Sequence, residues 1–293
     1  MIKDFVTTGS LGRPVRKKVY VPENPEAVVV VIHGMQEHSG RYDNFAKIMM
    51  ESNIAVFTSD LRGHGSNIDG RPGLDEGNIF LNIVEDQKAI IKKAREHFPS
   101  AKIVVLGHSY GSFVTQRLIR DRVEADKFIL SGSSFMKGAL ISMGGLVANL
   151  SRIFKGREAD ANLVEALSIR GYGKKFENGN WLSRDEKVWD DYNRDPLCGQ
   201  VFPVAFYQSM FKELPKNYKK LKNSVGYAPK ILVMSGTDDP VGNFSRGVKK
   251  LSNVYKASGY DTEVKLYDGG RHEMLNEINK DEVINDIIEF IRK

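Results

Sequence analysis

The chain has 293 residues, 41% hydrophobic and 27% charged, an ordinary balance and length for one large α/β domain or two small ones. No stretch approaches the ~18 consecutive apolar residues of a membrane span, Met1-Ile2-Lys3-Asp4-Phe5 lacks the apolar segment of a secretory signal, and the single Cys198 excludes an internal disulfide and fits a reducing, cytoplasmic compartment as a packing residue. The net charge of +6 is scattered, with only short clusters at Arg16-Lys17-Lys18 and Lys216 to Lys220, which is the pattern of a solvated surface and not of a nucleic-acid partner.

In chain order, Val15 to Val21 and Val28 to Ile32 read as strands, the second almost entirely β-branched, as suits a strand buried on both faces of a parallel sheet. Arg41 to Glu51 reads as a helix with Tyr42, Phe45, Ile48 and Met49 on one face. Ile54 to Thr58 is the next strand, followed by a glycine-rich loop from Arg62 to Gly77. Ile79 to His97 reads as a long helix. Ile103 to Leu106 is a strand that leads directly into Gly107-His108-Ser109-Tyr110-Gly111 and then a helix through Phe113, Val114, Leu118 and Ile119. Phe128 to Leu130 is another strand.

The alternation then stops. Residues 135–225 hold no clear strand, while Leu140, Met143, Leu146, Val147, Leu150, Ile153 and Phe154 recur at helical spacing. Such a stretch is a helical insertion with a small core of its own, or a lid whose apolar face roofs a site beneath it. The α/β pattern resumes at Ile231 to Met234. It continues through a helix from about Phe244 to Ala257, a strand at Glu263 to Tyr267 and a last helix from Asp281 to Ile291. The expected organisation is therefore a doubly wound, mostly parallel sheet flanked by helices, residues 1–134 and 226–293, with a helical insertion at 135–225. Functional groups of such sheets gather beyond the C-terminal ends of the strands, where His33, Asp60 and Ser109 fall.

The Ser109 pentapeptide is a G-x-S-x-G turn between strand and helix. A serine hydroxyl is a poor nucleophile unless the backbone exposes it and a base stands beside it. In the order serine, acid, histidine, the base must follow Ser109, and of six histidines only His272 does. His97 near a helix end reads as a surface residue, and His108 as an internal position of the turn. The acid belongs after the strand that precedes His272, in Gly236-Thr237-Asp238-Asp239-Pro240-Val241, where Asp238 and Asp239 compete. Pro240 restricts Asp239 to an extended backbone. The oxyanion of an acyl transfer needs two N–H donors, for which Tyr110 and Met35 are the candidates. No zinc-ligand spacing, phosphate-binding loop or dinucleotide fingerprint occurs, so no metal and no cofactor is expected.

These blocks together resemble the α/β-hydrolase superfamily, and within it the monoglyceride lipase and lysophospholipase group, which shares its pattern with serine aminopeptidase-like hydrolases. The likeness is carried by His33 to Tyr42, Arg62-Gly63-His64-Gly65, the Ser109 turn, Tyr192 to Leu197, Gly236 to Val241 and Gly270-Arg271-His272-Glu273. It implies Ser109 as nucleophile, Asp239 as acid and His272 as base, Met35 and Tyr110 as oxyanion donors, and a lid over an acyl-chain channel. It also places His38 and Arg41 beside the site, supporting its shape or a polar head group. The substrate so implied is a small, lipid-like carboxylic ester, with short esters and peptide or amide bonds as alternatives. The apolar helix near Leu140 to Phe154 is a candidate for transient contact with a membrane surface. Met35 and Ser112 depart from the usual small residue and glycine of the group.

Overall fold

The computed structural model describes residues 1–167, 169–222 and 226–293. Its eight-stranded sheet runs in the order β1-β2-β4-β3-β5-β6-β7-β8, formed by β1 (Ile2–Thr8), β2 (Pro14–Tyr20), β3 (Ala27–Ile32), β4 (Ile54–Ser59), β5 (Lys102–His108), β6 (Lys127–Ser131), β7 (Lys230–Gly236) and β8 (Thr262–Tyr267). Strands β1, β2 and β4 pair antiparallel, and β4 through β8 are parallel. Strands β3 to β7 are buried on both faces along almost their whole length, while the edge strand β8 is partly exposed; all six residues of β3 are inaccessible, as its run of valines requires.

Two layers of helix cover the sheet. On one face lie α1 (Asp43–Glu51) and α10 (Lys280–Arg292), whose Phe45, Met49, Ile284 and Ile287 pack with Val29, Val31, Leu106 and Ile129. On the other lie α2 (Ile79–His97), α3 (Tyr110–Arg120) and α9 (Arg246–Ala257), packed on Val28, Val30, Ile103 and Val105. Alternate residues of β3 and β5 thus serve opposite layers, the period-two rule of strands. Helix α2 spans the expected residues, capped by the Asn78 side chain accepting from Leu81 N–H (3.2 Å).

Between β6 and β7 stand α4 (Ala139–Lys155), α5 (Asn162–Leu167), α6 (Ile169–Gly173), α7 (Glu186–Arg194) and α8 (Val204–Glu213). The expected end of this insertion, residue 225, lies outside the described residues. Its buried side chains do not form a separate core: Ala148, Val164, Phe202, Phe206 and Tyr207 belong to the cluster that includes α2 and α3. One face of α4 is exposed, with Leu140, Met143, Leu146, Ile153 and Phe154 between 57% and 81% accessible. No helix among the described residues is long and apolar enough to cross a membrane.

Three local differences from the sequence expectation have physical causes. Strand β1 was not foreseen; it is a mostly exposed edge strand that pairs along its whole length with β2. The helix expected from Arg41 begins as a single 3-10 turn over Ser39–Tyr42 and becomes α1 at Asp43. Helix α9 starts two residues later than Phe244 because Asn243, Phe244 and Ser245 take left-handed φ values of 49°, 50° and 71°.

Candidate active site

Ser109 stands between the end of β5 and the start of α3 with φ 51° and ψ −118°, a backbone conformation costly for any residue with a Cβ. The surrounding structure over-determines it. Ser109 N–H donates to the Ser131 carbonyl (2.9 Å), and the Ser109 carbonyl accepts from Ser112 N–H (2.9 Å). The flanking glycines are needed for close approach: a Cβ on Gly111 would collide with the Ile32 carbonyl, and one on Gly107 with Thr115. The Ser112 hydroxyl bonds backbone, donating to the Ser109 carbonyl (2.5 Å), and also meets Ser133 Oγ (2.7 Å). Tyr110 is the first residue of α3, where a helix leaves its leading N–H groups without intrahelical partners.

His272 lies in the loop after β8 and is 2% exposed. Its Nδ1 is 3.0 Å from Asp239 Oδ1. Asp239, beyond β7, is fully buried; its Oδ1 also accepts from Val241 N–H (2.8 Å) and its Oδ2 from Ser235 Oγ (2.8 Å). The neighbouring Asp238 is exposed and contributes its backbone N–H to the Gly270 carbonyl (2.9 Å). Geometry therefore separates the two carboxylates that the sequence leaves in competition. Burial pushes the Asp239 carboxyl up, but the His272 charge and the three donors around it bring it below the ordinary carboxylate range. Burial works against a charged His272, and the Asp239 carboxylate overcomes this, holding the imidazole above its ordinary value of 6.5. The ring is flanked by His108 (4.7 Å between centroids) and by Trp181 of the insertion (4.9 Å), while Nε2 is buried without a hydrogen-bond partner.

Met35 follows β3 in a loop held from both sides. His33 Nδ1 bonds the Gly34 carbonyl (2.8 Å) and its Nε2 accepts from Leu61 N–H (2.9 Å), which fixes a neutral tautomer. Gly34 N–H donates to Glu37 Oε1 (2.5 Å), which also accepts from Tyr42 OH (2.9 Å). Glu37 Oε2 accepts from Arg41 Nη1 (2.7 Å), and Arg41 reaches across to both oxygens of Glu273 (2.7 Å each). Burial raises the Glu37 carboxyl, yet Arg41 and the neighbouring donors hold it down to about 2. Glu37-Arg41-Glu273 is thus a buried clamp that ties the Met35 loop to the residue after His272. Glu37 and Glu273 were not singled out in the sequence, although both lie inside the blocks that carry the family likeness.

A cavity of about 330 Å³ opens on Ser109 and His272. The insertion supplies much of its apolar wall, including Leu140, Met143, Val147, Met210 and Phe211, while Glu37, Arg41 and Glu273 form a polar end. Met35 and Tyr110 also line it. Arg41 therefore reaches the cavity with its guanidinium already engaged. His38 does not line it; its Nδ1 accepts from Gly40 N–H (3.2 Å) and its Nε2 meets Asp195 Oδ2 (2.9 Å). His38 is thus engaged within the protein away from the cavity wall, whereas Arg41 lies on it. His97 is exposed at the end of α2. Among the described residues one trio brings metal donors together: His38, Asp195 and Cys198, all within 4.8 Å. Burial pushes the Cys198 thiol up to about 12, and a protonated thiol beside a satisfied His–Asp pair is a poor donor set.

This sheet order, with a serine on the turn after β5 and a buried carboxylate–histidine pair beyond β7 and β8, is the α/β-hydrolase fold. The family described as serine aminopeptidase, S33, matches residues 23–279, and the chain belongs to it. The chain is similar to the monoacylglycerol lipase of Mycolicibacterium smegmatis, 27% identical over 282 residues that cover 93% of this chain and 91% of the relative. It is 25% identical to the human monoglyceride lipase over 269 residues, 91% of this chain and 81% of the relative. The crystal structure of a thermostable carboxyl esterase from Bacillus coagulans, in complex with glycerol, superposes with a TM-score of 0.86 at 27% identity, covering 99% of this chain and 98% of that one.

Proposed function

We propose that the protein is a carboxylic ester hydrolase of the monoacylglycerol lipase or lysophospholipase type, acting through an acyl-enzyme on Ser109. His272 Nε2 takes the Ser109 proton as Oγ attacks the ester carbonyl, and returns it to the leaving alcohol. Asp239 fixes the ring through Nδ1 and stabilises the imidazolium. The N–H groups of Met35 and Tyr110 receive the oxyanion. Water then repeats the sequence on the acyl-enzyme. Residues 135–225 act as a lid over the acyl chain.

The observation that carries this reading is the cavity, whose wall joins apolar side chains of the insertion, the polar groups Glu37, Arg41 and Glu273, and both Ser109 and His272. An aminopeptidase substrate brings an ammonium group to its site. The Glu37-Arg41-Glu273 trio keeps one net negative charge, but every oxygen of both carboxylates already accepts a hydrogen bond from within the protein, from Arg41, Gly34, Tyr42 or Asn276, which leaves no free carboxylate for an ammonium group and favours an uncharged head group such as glycerol. The test is a panel of monoacylglycerols, lysophospholipids, short esters and aminoacyl amides, with Ser109→Ala as blank. At ~0.8 kcal/mol per buried methylene, kcat/KM rises about fourfold per added CH₂ until the channel is filled. A flat chain-length profile, or faster turnover of aminoacyl amides, contradicts the assignment.

The exposed apolar face of α4, with Arg152 and Lys155 in its last turn, is the part of the lid suited to rest on a lipid surface. Ile153 and Phe154 are 73% and 81% exposed and do not line the cavity. The double variant Ile153→Ser/Phe154→Ser should lower partitioning onto anionic vesicles by about tenfold and leave turnover of a soluble short ester unchanged. Equal co-sedimentation of variant and parent would remove the membrane role.

A further inference from the structure

Gln36, the residue after Met35, has φ 59°, a left-handed conformation that glycine takes freely and glutamine does not. It is 6% exposed. Its backbone carbonyl accepts from Gly199 N–H (2.9 Å) and from Tyr192 OH (3.1 Å). Its side-chain Nε2 donates to Glu165 Oε1 (2.9 Å). All three partners belong to the insertion. Glu165 is anchored there in turn, accepting from Tyr207 OH (2.9 Å) and Phe202 N–H (3.2 Å).

The short loop that carries the Met35 N–H therefore has two anchors. On the core side, Gly34 is held by His33 and Glu37. On the other, Gln36 is held by the insertion. A donor for an oxyanion acts through its direction, and it is worth most when it needs no reorganisation as charge develops.

We propose that Gln36 is a positioning residue that latches the insertion to the oxyanion loop, so that the Met35 N–H is aimed at the transition state only while the insertion is docked. This rests on the ester-hydrolase reading above. Its consequence is that the enzyme works closed. A soluble ester is turned over at the full rate with no lipid interface present, because swinging the insertion away would release the loop.

The test is Gln36→Gly. Glycine relieves the left-handed backbone and keeps the carbonyl, but deletes the bond to Glu165. If residue 36 served only to shape the backbone, glycine would match or improve on glutamine. The latch predicts instead that kcat on p-nitrophenyl butyrate falls about tenfold, part of the 10²–10³ lost with a whole oxyanion donor. KM stays within about twofold, and affinity for an alkylboronic acid, a tetrahedral-adduct mimic, falls by the same factor as kcat/KM, as expected when only transition-state binding is lost. Tyr192→Phe removes the second latch bond without touching the loop backbone and serves if the glycine variant folds poorly; it should lower kcat in the same direction. Unchanged kcat and boronate affinity in either folded variant overturn the latch. Should the unaltered protein fail to hydrolyse esters at all, the ester reading fails, and hydrogen exchange then decides the latch. The Gly199 amide, bonded to the Gln36 carbonyl, must lose protection in Gln36→Gly, and unchanged protection rejects the proposal.

Discussion

Ser109→Ala should lower kcat on ester substrates by about 10⁶-fold, leaving a folded protein. The loss is that large because the hydroxyl is the only group asked to form a covalent bond, and the base and oxyanion donors have nothing to act on without it. Folding survives because the bonds that hold the strained turn come from the backbone, Ser109 N–H to Ser131 and Ser112 N–H to the Ser109 carbonyl. Alanine at φ 51° carries the same Cβ as serine, so the substitution adds no strain. Circular dichroism and thermal melting check the fold, and p-nitrophenyl ester hydrolysis checks the rate. Residual activity within a hundredfold of the parent would place the nucleophile elsewhere.

The second large effect belongs to Asp239. Asp239→Asn should reduce kcat by about 10⁴-fold, whereas Asp238→Asn, at an exposed position that contributes its backbone, should stay within twofold. The asparagine keeps the shape of the site but no longer stabilises the imidazolium or fixes the Nδ1–H tautomer. The two variants also differ in pH dependence. Neutral His272 is the active base, so kcat/KM rises as pH climbs through its pKa. In the parent the Asp239 carboxylate raises that pKa and burial opposes it, so the acid limb lies above the ordinary 6.5. With asparagine the largest raising charge is gone while burial remains, opposed only by the more weakly acting Glu273 and Glu37, so the limb of the residual activity moves to lower pH. A limb that stays in place when Asp239 is neutralised would show that another group controls it.

The central sheet and the turn that carries Ser109 were legible in the sequence because each leaves a local mark. A strand buried on both faces must be apolar throughout, and Val28 to Ile32 is. A nucleophile on a strand-to-helix turn needs small flanking residues, and Gly107 and Gly111 are where contact with Thr115 and Ile32 forbids a side chain. The choice of Asp239 over Asp238 was narrower. Pro240 restrained one of them, but only burial against His272 separates them.

What the sequence hid is long-range or depends on what covers a surface. Arg41 and Glu273 are 232 positions apart, and no spacing rule relates them, although together with Glu37 they join the Met35 loop to the loop of His272. Gln36 reads as an ordinary loop residue until Glu165, 129 positions on, is seen beside it. The apolar period of Leu140 to Phe154 identified a helix, but periodicity does not say whether the apolar face is buried. In α4 much of it faces outward, and the buried residues of the insertion join the main core instead of making their own. Strand β1 was silent for the opposite reason, since a charged edge strand satisfies its backbone through β2 and needs no apolar pattern.

The most direct test of the account is the site of covalent reaction with a fluorophosphonate, which mimics the tetrahedral intermediate and reacts only with an activated hydroxyl. Mass mapping of the labelled protein should find one adduct, on Ser109, formed rapidly in the parent, about 10⁴-fold more slowly in Asp239→Asn and not at all in Ser109→Ala. An adduct on any other residue, or no adduct on the folded protein, would contradict it.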